Sequence, residues 1–244
     1  MFNEKYRLTE AVPMFGIEHI ISLLFCIALI TAVFLLRNYF KSHPKTDRIF
    51  CVIMASLLIL MEIAMYCYHV SKNQFDNYFS LHLCSITVFL TGAAVLFNNA
   101  KVMKVICFWA VIGAVLSLIV LDTSYYPPHY VYIEYISSHS FFLVLSLHYL
   151  FTGKITLKYK DMYISGLYLT ALAAFVLVMD LATGKNWMFL RALPDEAKVI
   201  SDALGLTKDF TVLPLFILFI FIMFNLVYIA YKYMPRIKKN KETE

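Results

Sequence analysis

Long apolar runs alternate with short polar segments along almost the whole chain. A helix needs about 20 predominantly apolar residues to cross a hydrocarbon core of about 30 Å. Seven runs of roughly that length are bounded by charged or turn residues, at 17–36, 49–70, 79–97, 102–121, 133–151, 162–182 and 211–231. The pattern predicts an all-α, polytopic membrane protein with seven transmembrane helices, and we expect residues 1–244 to form a single seven-helix transmembrane domain.

The segments between these runs differ in how many basic residues they carry. Short loops rich in lysine and arginine resist translocation and stay in the cytoplasm. Fourteen of the 21 lysines and arginines fall in one set of segments, which includes Arg37, Lys101, Lys158 and Arg236, whereas seven fall in the other. This asymmetry predicts an N-terminus outside and a C-terminus in the cytoplasm.

Composition narrows the class of protein further. With 61% hydrophobic and 15% charged residues, the chain has too little polar surface for a soluble globule. We expect a multi-pass protein of the cell membrane whose partners are membrane phospholipids, with no soluble partner. The net charge of +5 is spread between apolar runs, which does not favour nucleic acid as a partner. All five cysteines lie inside apolar runs, which predicts free thiols.

The longest polar segment, 184–210, carries signals of a short helix. Pro194 suits a first helical position, Asp195 and Glu196 suit the positive end of a helix, and Gly205 suits its stop. Such a helix would lie in the outer interface. A plain connector explains the same residues equally well.

Polar and ionisable side chains inside the predicted spans fall at similar depth, toward the outer ends. Because such groups are costly in hydrocarbon, each one is a hypothesis of function, although a hydrogen bond between helices explains many single cases. The residues are His19, Glu62, Tyr66, His69, His82, Cys84, His139, Asp180 and Asn186. Their common depth predicts a polar chamber that opens toward the outer leaflet.

Helical spacing decides which of these side chains can meet. Glu62, Tyr66 and His69 are three or four residues apart and share a face. His82 and Cys84 are two residues apart and diverge by about 200°, so a base for Cys84 must come from another helix, for which His139 is the preferred candidate. A thiol beside an imidazole is a nucleophile suited to acyl transfer. Asn186 is a candidate donor to the oxyanion.

Three short motifs lie in this region: Ser80-Leu81-His82-Leu83-Cys84, Ser138-His139-Ser140 and Asn186-Trp187-Met188-Phe189-Leu190. Together with 16–19 they resemble the YwaF-like family of bacterial membrane proteins, which is distantly similar to the animal transmembrane protein 164 acyltransferases. The resemblance spans nearly the whole chain. It implies a seven-helix fold and the transfer of a fatty acyl chain between phospholipids, with Cys84 and His139 at the positions of the catalytic cysteine and histidine.

The sequence therefore favours a lipid-directed acyltransferase or thiol hydrolase without a cofactor or a metal. Cys84 and His139 are the predicted catalytic residues. The supporting or substrate-binding residues are His82, Asn186, His19, Glu62, Tyr66, His69 and Asp180. No Walker loop, dinucleotide fingerprint or Gly-x-Ser-x-Gly elbow is present.

Two alternative functions are also consistent with the sequence. A seven-helix transporter, or a receptor for a lipid or small molecule, would use the polar chamber without chemistry, with Glu62 and Asp180 binding a proton or cation. A zinc hydrolase built from His19, His82 and His139 with Glu62 is the other, because three histidines and a water form a catalytic zinc set.

Overall fold

A computed structural model describes residues 13, 15–73, 80–121, 123, 125–191 and 213–233 of the chain. Within these ranges the protein is all-helical and has no strand, which confirms the all-α part of the predicted fold class. The helices are α1 (Ile17–Leu35), α2 (Arg37–Ser42), α3 (Pro44–Ser71), α4 (Leu83–Leu96), α5 (Ala100–Ile119), α6 (Tyr130–Phe151), α7 (Tyr159–Thr183) and α8 (Leu213–Tyr233). The helix predicted from Pro194 to Gly205 lies outside the described residues.

Several helix ends follow directly from local sequence. Pro44 opens α3, where the missing N–H costs nothing and the fixed φ angle suits a helix. Asn99 caps α5 because its side-chain oxygen accepts a hydrogen bond from the Val102 backbone N–H at 3.1 Å. Gly184 ends α7 with a φ of 74°, a left-handed conformation that glycine adopts without strain.

The helix α6 is the centre of the bundle. It packs against α1, α3, α4 and α5, and most of its length is buried, including the polar residues Ser138, His139, Ser146 and His148. A helix surrounded by other helices needs no continuous apolar surface. This position explains how α6 tolerates so many polar side chains.

The outer helices show the opposite distribution. Large apolar side chains of α1, α3, α7 and α8 are exposed on the surface, for example Ile21, Leu60, Leu167 and Ile217. Water would oppose so large an apolar surface, whereas lipid tails solvate it. The protein is therefore a multi-pass membrane protein.

Five helices are long and apolar enough to cross a membrane: α1, α3, α5, α7 and most of α8. The predicted spans 79–97 and 133–151 correspond to α4 and α6, which do not meet these conditions. The 14 residues of α4 extend about 21 Å, and α6 is long enough but too polar. The count of seven spans and the orientation of the termini stay predictions.

Polar contacts fix how the ends of neighbouring helices align. The Arg48 guanidinium donates to the backbone oxygens of Val95 at 2.5 Å and Leu96 at 2.8 Å, which brings the start of α3 to the end of α4. Glu62 lies fifteen residues after Asp47 on α3, about 22 Å along the helix. We call these two ends of the bundle the Asp47 end and the Glu62 end.

Candidate functional site

A group of polar side chains lies at the Glu62 end, where α3, α4, α5 and α6 meet. We call this group the Cys84 cluster. It consists of Glu62, Cys84, Ser85, Ser117, Glu134, Tyr135 and His139, which are joined by hydrogen bonds or close electrostatic interactions. The cluster contains both predicted catalytic residues.

Cys84 lies in the first turn of α4 and is partly buried. Its Sγ is 3.8 Å from the Ser117 Oγ of α5. The backbone oxygen of Ser117 in turn accepts a hydrogen bond from the Tyr135 hydroxyl at 2.9 Å. Ser117 therefore connects the thiol on α4 with a tyrosine on α6.

His139 lies one helical turn beyond Tyr135 on α6 and is 4% exposed. Its Nδ1 is 2.7 Å from the Tyr135 backbone oxygen. A carbonyl oxygen can only accept, so the ring proton of the neutral imidazole lies on Nδ1. The buried Nε2 has no hydrogen-bond partner within the described part of the chain. This nitrogen carries the lone pair of a potential base.

Cys84 and His139 do not share a direct hydrogen bond. In the described residues they are linked indirectly, from the thiol through Ser117 to Tyr135 and from the Tyr135 backbone to the imidazole. Catalytic hydrogen bonds are often long or incomplete before substrate binds. A direct contact between the Cys84 thiol and the His139 imidazole would therefore have to form when substrate binds.

Two carboxyl groups from different helices form the remainder of the cluster. A side-chain hydrogen bond joins Glu62 of α3 to Glu134 of α6, and each residue is 6% exposed. Such a bond requires a proton on one of the two carboxyl groups, because a carboxylate is only an acceptor. Both interact electrostatically with His139, and Glu62 also interacts with Cys84. The pair therefore sets the charge around the thiol and the imidazole.

Glu134 was missing from the residues predicted from the sequence. The available signal was its acidic side chain within an otherwise apolar span, since an ionisable residue at such a position is a candidate by default. Ser85, which lies beside Glu62 and Tyr66, and Ser117 carried no comparable signal, because serines are common in membrane helices.

The first and third sequence motifs approach each other near the start of α4. His82 is the residue before α4, and its ring centroid is 6.1 Å from that of Phe189. The third motif is anchored to α7, because the Asp180 Oδ1 accepts a hydrogen bond from the Trp187 backbone N–H at 3.0 Å. Asp180 thus holds the segment that follows α7.

Asn186 has a similar local contact. Its Oδ1 accepts a hydrogen bond from the Arg191 backbone N–H at 3.1 Å. The side-chain oxygen therefore stabilises the turn after α7, and the amide nitrogen is the group that would donate to an oxyanion.

His19, Tyr66 and His69 have partners on their own or neighbouring helices. His19 accepts a hydrogen bond from the Phe15 backbone N–H at 2.9 Å and donates to the Leu118 oxygen at 2.7 Å, which ties α1 to α5. The Tyr66 ring stacks with Phe89 at 6.1 Å, and the His69 ring lies 5.5 Å from Tyr68.

These contacts argue against the alternative of a zinc hydrolase built from His19, His82 and His139. Both ring nitrogens of His19 are engaged by backbone groups, so neither is open to a metal while these bonds persist. Within the described ranges, His19, His82 and His139 do not gather their ring nitrogens at metal-ligand spacing.

The sequence model of the TMEM164 family matches residues 14–231, a range that includes all three motifs. The predicted relation to transmembrane protein 164 is thus confirmed, while the bacterial YwaF-like grouping stays a prediction. No curated protein and no solved structure matches the chain.

Proposed function

The chain belongs to the TMEM164 family, and from the contacts of the Cys84 cluster we propose that it transfers fatty acyl chains between membrane phospholipids. The supporting observation is the series of contacts that links the Cys84 thiol to the His139 imidazole through Ser117 and Tyr135. A thiol with a nearby base is the combination that acyl transfer through a thioester requires.

The proposal includes seven transmembrane helices with the N-terminus outside and the C-terminus in the cytoplasm. In this orientation the Cys84 cluster occupies the outer half of the bilayer. Ester bonds of outer-leaflet glycerophospholipids lie at that depth, so an acyl donor reaches the thiol by lateral diffusion.

The first step forms the acyl-enzyme. The Nε2 of His139 takes the proton of the Cys84 thiol, and the sulfur attacks the ester carbonyl of a phospholipid. The carbon–oxygen ester bond breaks, and His139 returns the proton to the departing oxygen. The products are a thioester on Cys84 and a lysophospholipid.

The second step transfers the acyl chain. A hydroxyl group of an acceptor lipid loses its proton to His139, and its oxygen attacks the thioester carbonyl. The carbon–sulfur bond breaks, and the sulfur recovers the proton. The same step with water as the acceptor would give hydrolysis.

Other residues of the site have supporting roles in this proposal. The Asn186 amide nitrogen donates to the negatively charged oxygen that develops during each attack. Glu62 and Glu134 act on the imidazole electrostatically, since an anionic neighbour favours the protonated ring that forms in the first step. The residues that hold the surrounding helices and loops in position are His82, His19, Tyr66 and Asp180. His69, which contacts Tyr68 on the same helix, would contribute to substrate binding.

The decisive experiment compares purified wild type with Cys84→Ala, His139→Ala and the control Cys107→Ala. Cys107 is buried in α5 and lies outside the cluster. Each protein is incubated with a phospholipid that carries labelled acyl chains, and hydroxylamine-labile label on the protein is measured. We expect label on wild type and Cys107→Ala, none on Cys84→Ala, and formation slowed by roughly 10²- to 10⁴-fold in His139→Ala.

Label that persists unchanged on Cys84→Ala would overturn the cysteine mechanism. Transfer that stops on chelation, with Cys84→Ala still active, would instead indicate a metal hydrolase.

A second candidate is transport or ligand binding without chemistry, and the Glu62–Glu134 pair favours it. A buried carboxyl pair that shares a proton is typical of proton-coupled transporters. Saturable solute uptake into vesicles, in the absence of acyl transfer, would support this function. Loss of that uptake in Glu62→Gln would connect it to the carboxyl pair.

A further inference from the structure

A second group of chemically reactive side chains lies at the Asp47 end of the bundle, opposite the Cys84 cluster. Asp47 and Cys51 are on α3, and His148 is near the end of α6. One ligand atom from each residue lies within 4.8 Å of the other two. The Nε2 of His148 is 2.6 Å from the Asp47 Oδ1, and the Cys51 Sγ is 3.9 Å from the same oxygen.

The spacing of these residues suits a shared ion. Asp47 and Cys51 are four residues apart, so they lie on the same face of α3 one turn from each other. His148 reaches the same point from α6, at a separation of 101 residues in sequence. A carboxylate, a thiolate and an imidazole form a donor set of oxygen, sulfur and nitrogen that favours zinc-type ions over magnesium or calcium.

A positive charge already occupies this position. The Lys154 ammonium forms an ion pair with the Asp47 Oδ2 and donates to the Cys51 Sγ at 3.4 Å. Lys154 follows α6, and its side chain is 27% exposed, so it can move outward without crossing the protein. The geometry therefore suits exchange of the ammonium for a metal cation.

The three side chains lie in buried, apolar surroundings that, in the described part of the chain, leave one polar atom of His148 unpaired. His148 and Cys51 have no exposed surface, and the rings of Phe40 and Phe50 lie 5.0 and 5.2 Å from the His148 ring. The Nδ1 of His148 is buried without a hydrogen-bond partner among the described residues. This nitrogen can hold the ring proton when Nε2, which faces Asp47, binds an ion.

We propose that Asp47, Cys51 and His148 bind a divalent transition-metal ion of the zinc type, with Lys154 as the cation that the metal displaces. Binding releases the thiol proton of Cys51, and the ring proton of His148 moves from Nε2 to Nδ1 so that Nε2 ligates the ion as a neutral imidazole. Three protein ligands leave a fourth position for water. The ion would fasten α3 to α6 at the end of the bundle that is remote from the proposed acyl-transfer chemistry.

Cobalt(II) is the appropriate probe, because a thiolate ligand gives it a charge-transfer band in the near ultraviolet. Chelator-treated full-length protein in detergent is titrated with Co²⁺, followed by Zn²⁺. We expect saturable binding of one ion per chain, with visible bands that Zn²⁺ removes. Cys51→Ser should lose the charge-transfer band and bind roughly 10- to 100-fold more weakly, whereas the matched buried control Cys107→Ser should behave as wild type.

Two further variants keep the test independent of misfolding. Asp47→Asn keeps the size of the side chain and should also weaken Co²⁺ binding. Lys154→Met should tighten binding by roughly tenfold, because the metal no longer competes with an ammonium. At a Zn²⁺ concentration just sufficient to saturate wild type, Zn²⁺ should raise the unfolding temperature of wild type and Lys154→Met and leave that of Cys51→Ser nearly unchanged.

The proposal is overturned if wild type and Lys154→Met show no saturable Co²⁺ binding, which would make the group a plain ion-pair contact between helices. It is equally overturned if the charge-transfer band survives in Cys51→Ser and disappears in Cys84→Ser. Neither result depends on acyl transfer, so this site and the proposed function fail or stand separately.

Discussion

Glu134 and Glu62 illustrate how single residues control the chemistry of a buried site. Each carboxyl group is almost fully buried, and each has the other as a hydrogen-bond partner. Removing one partner of a buried polar pair leaves the other with an uncompensated loss of hydration. The cost of such a change depends on whether the new side chain can still form the hydrogen bond.

We predict different outcomes for two substitutions of Glu134. Glu134→Ala deprives Glu62 of its partner and should lower the free energy of unfolding by about 1–3 kcal/mol. Glu134→Gln retains a hydrogen-bonding side chain of the same length and should cost less than about 1 kcal/mol. Thermal unfolding of the purified proteins in detergent measures both. Equal destabilisation by the two variants would show that the hydrogen bond does not support the fold.

For single residues, the sequence predicted which chemical groups are present in the site better than it predicted their contacts. On α1, for example, His19, Ser22 and Cys26 are three or four residues apart and are all buried. The contacts of Cys84 with Ser117 and of His139 with the Tyr135 backbone could not be predicted from the sequence, because they depend on how α4, α5 and α6 align. The group of Asp47, Cys51 and His148 was equally hidden, since Asp47 precedes the apolar run predicted to span the membrane and its partner is 101 residues away.

A glycine allows α3 and α4 to pack closely against each other. A Cβ atom added at Gly92 of α4 would lie 2.5 Å from the Ile59 Cγ1 of α3. The absence of a side chain therefore lets the two helices approach, as small residues do throughout membrane proteins.

We predict that Gly92→Leu separates α3 from α4 and lowers the free energy of unfolding by roughly 1–3 kcal/mol, the usual cost of overpacking. Gly113→Leu is the matched control, because a Cβ at Gly113 meets nothing within 4 Å and a leucine there extends into open space. Thermal unfolding in detergent compares the two. A control as unstable as Gly92→Leu would mean that the loss is not specific to the contact of α3 with α4.

Apolar runs predicted where the helices lie, but not their lengths. The helix α3 begins at Pro44, five residues before the predicted span at 49–70, since polar residues extend a helix beyond the hydrocarbon. Hydropathy marks the stretch that lies in lipid, whereas proline, asparagine and glycine mark where a helix begins or ends. The predicted span in α6 contains more polar residues than a helix that faces lipid. It can do so because neighbouring helices, rather than lipid tails, surround it.

For the whole molecule, the unequal distribution of basic residues predicts the orientation in the membrane. Lys72, after α3, and Lys101, at the start of α5, lie at opposite ends of the bundle and are both exposed. If the basic segments stay in the cytoplasm, Lys72 lies outside the cell and Lys101 inside it.

We predict that a membrane-impermeant maleimide labels Lys72→Cys in intact cells and labels Lys101→Cys only after lysis. The exposed Cys67 is replaced by serine in both proteins so that it does not contribute. Lys158→Cys should follow Lys101→Cys. The reverse pattern would invert the orientation and move the Cys84 cluster to the inner leaflet.

The central position of α6 has a consequence for how the protein is made. An acidic side chain and two imidazoles oppose the entry of a lone α6 into lipid during synthesis. Its packing partners α1, α3, α4 and α5 all precede it in the chain, so they have left the ribosome before α6 emerges. The earlier helices thus form the cleft into which α6 inserts, and a nascent chain that stops after α5 would leave that cleft open to lipid.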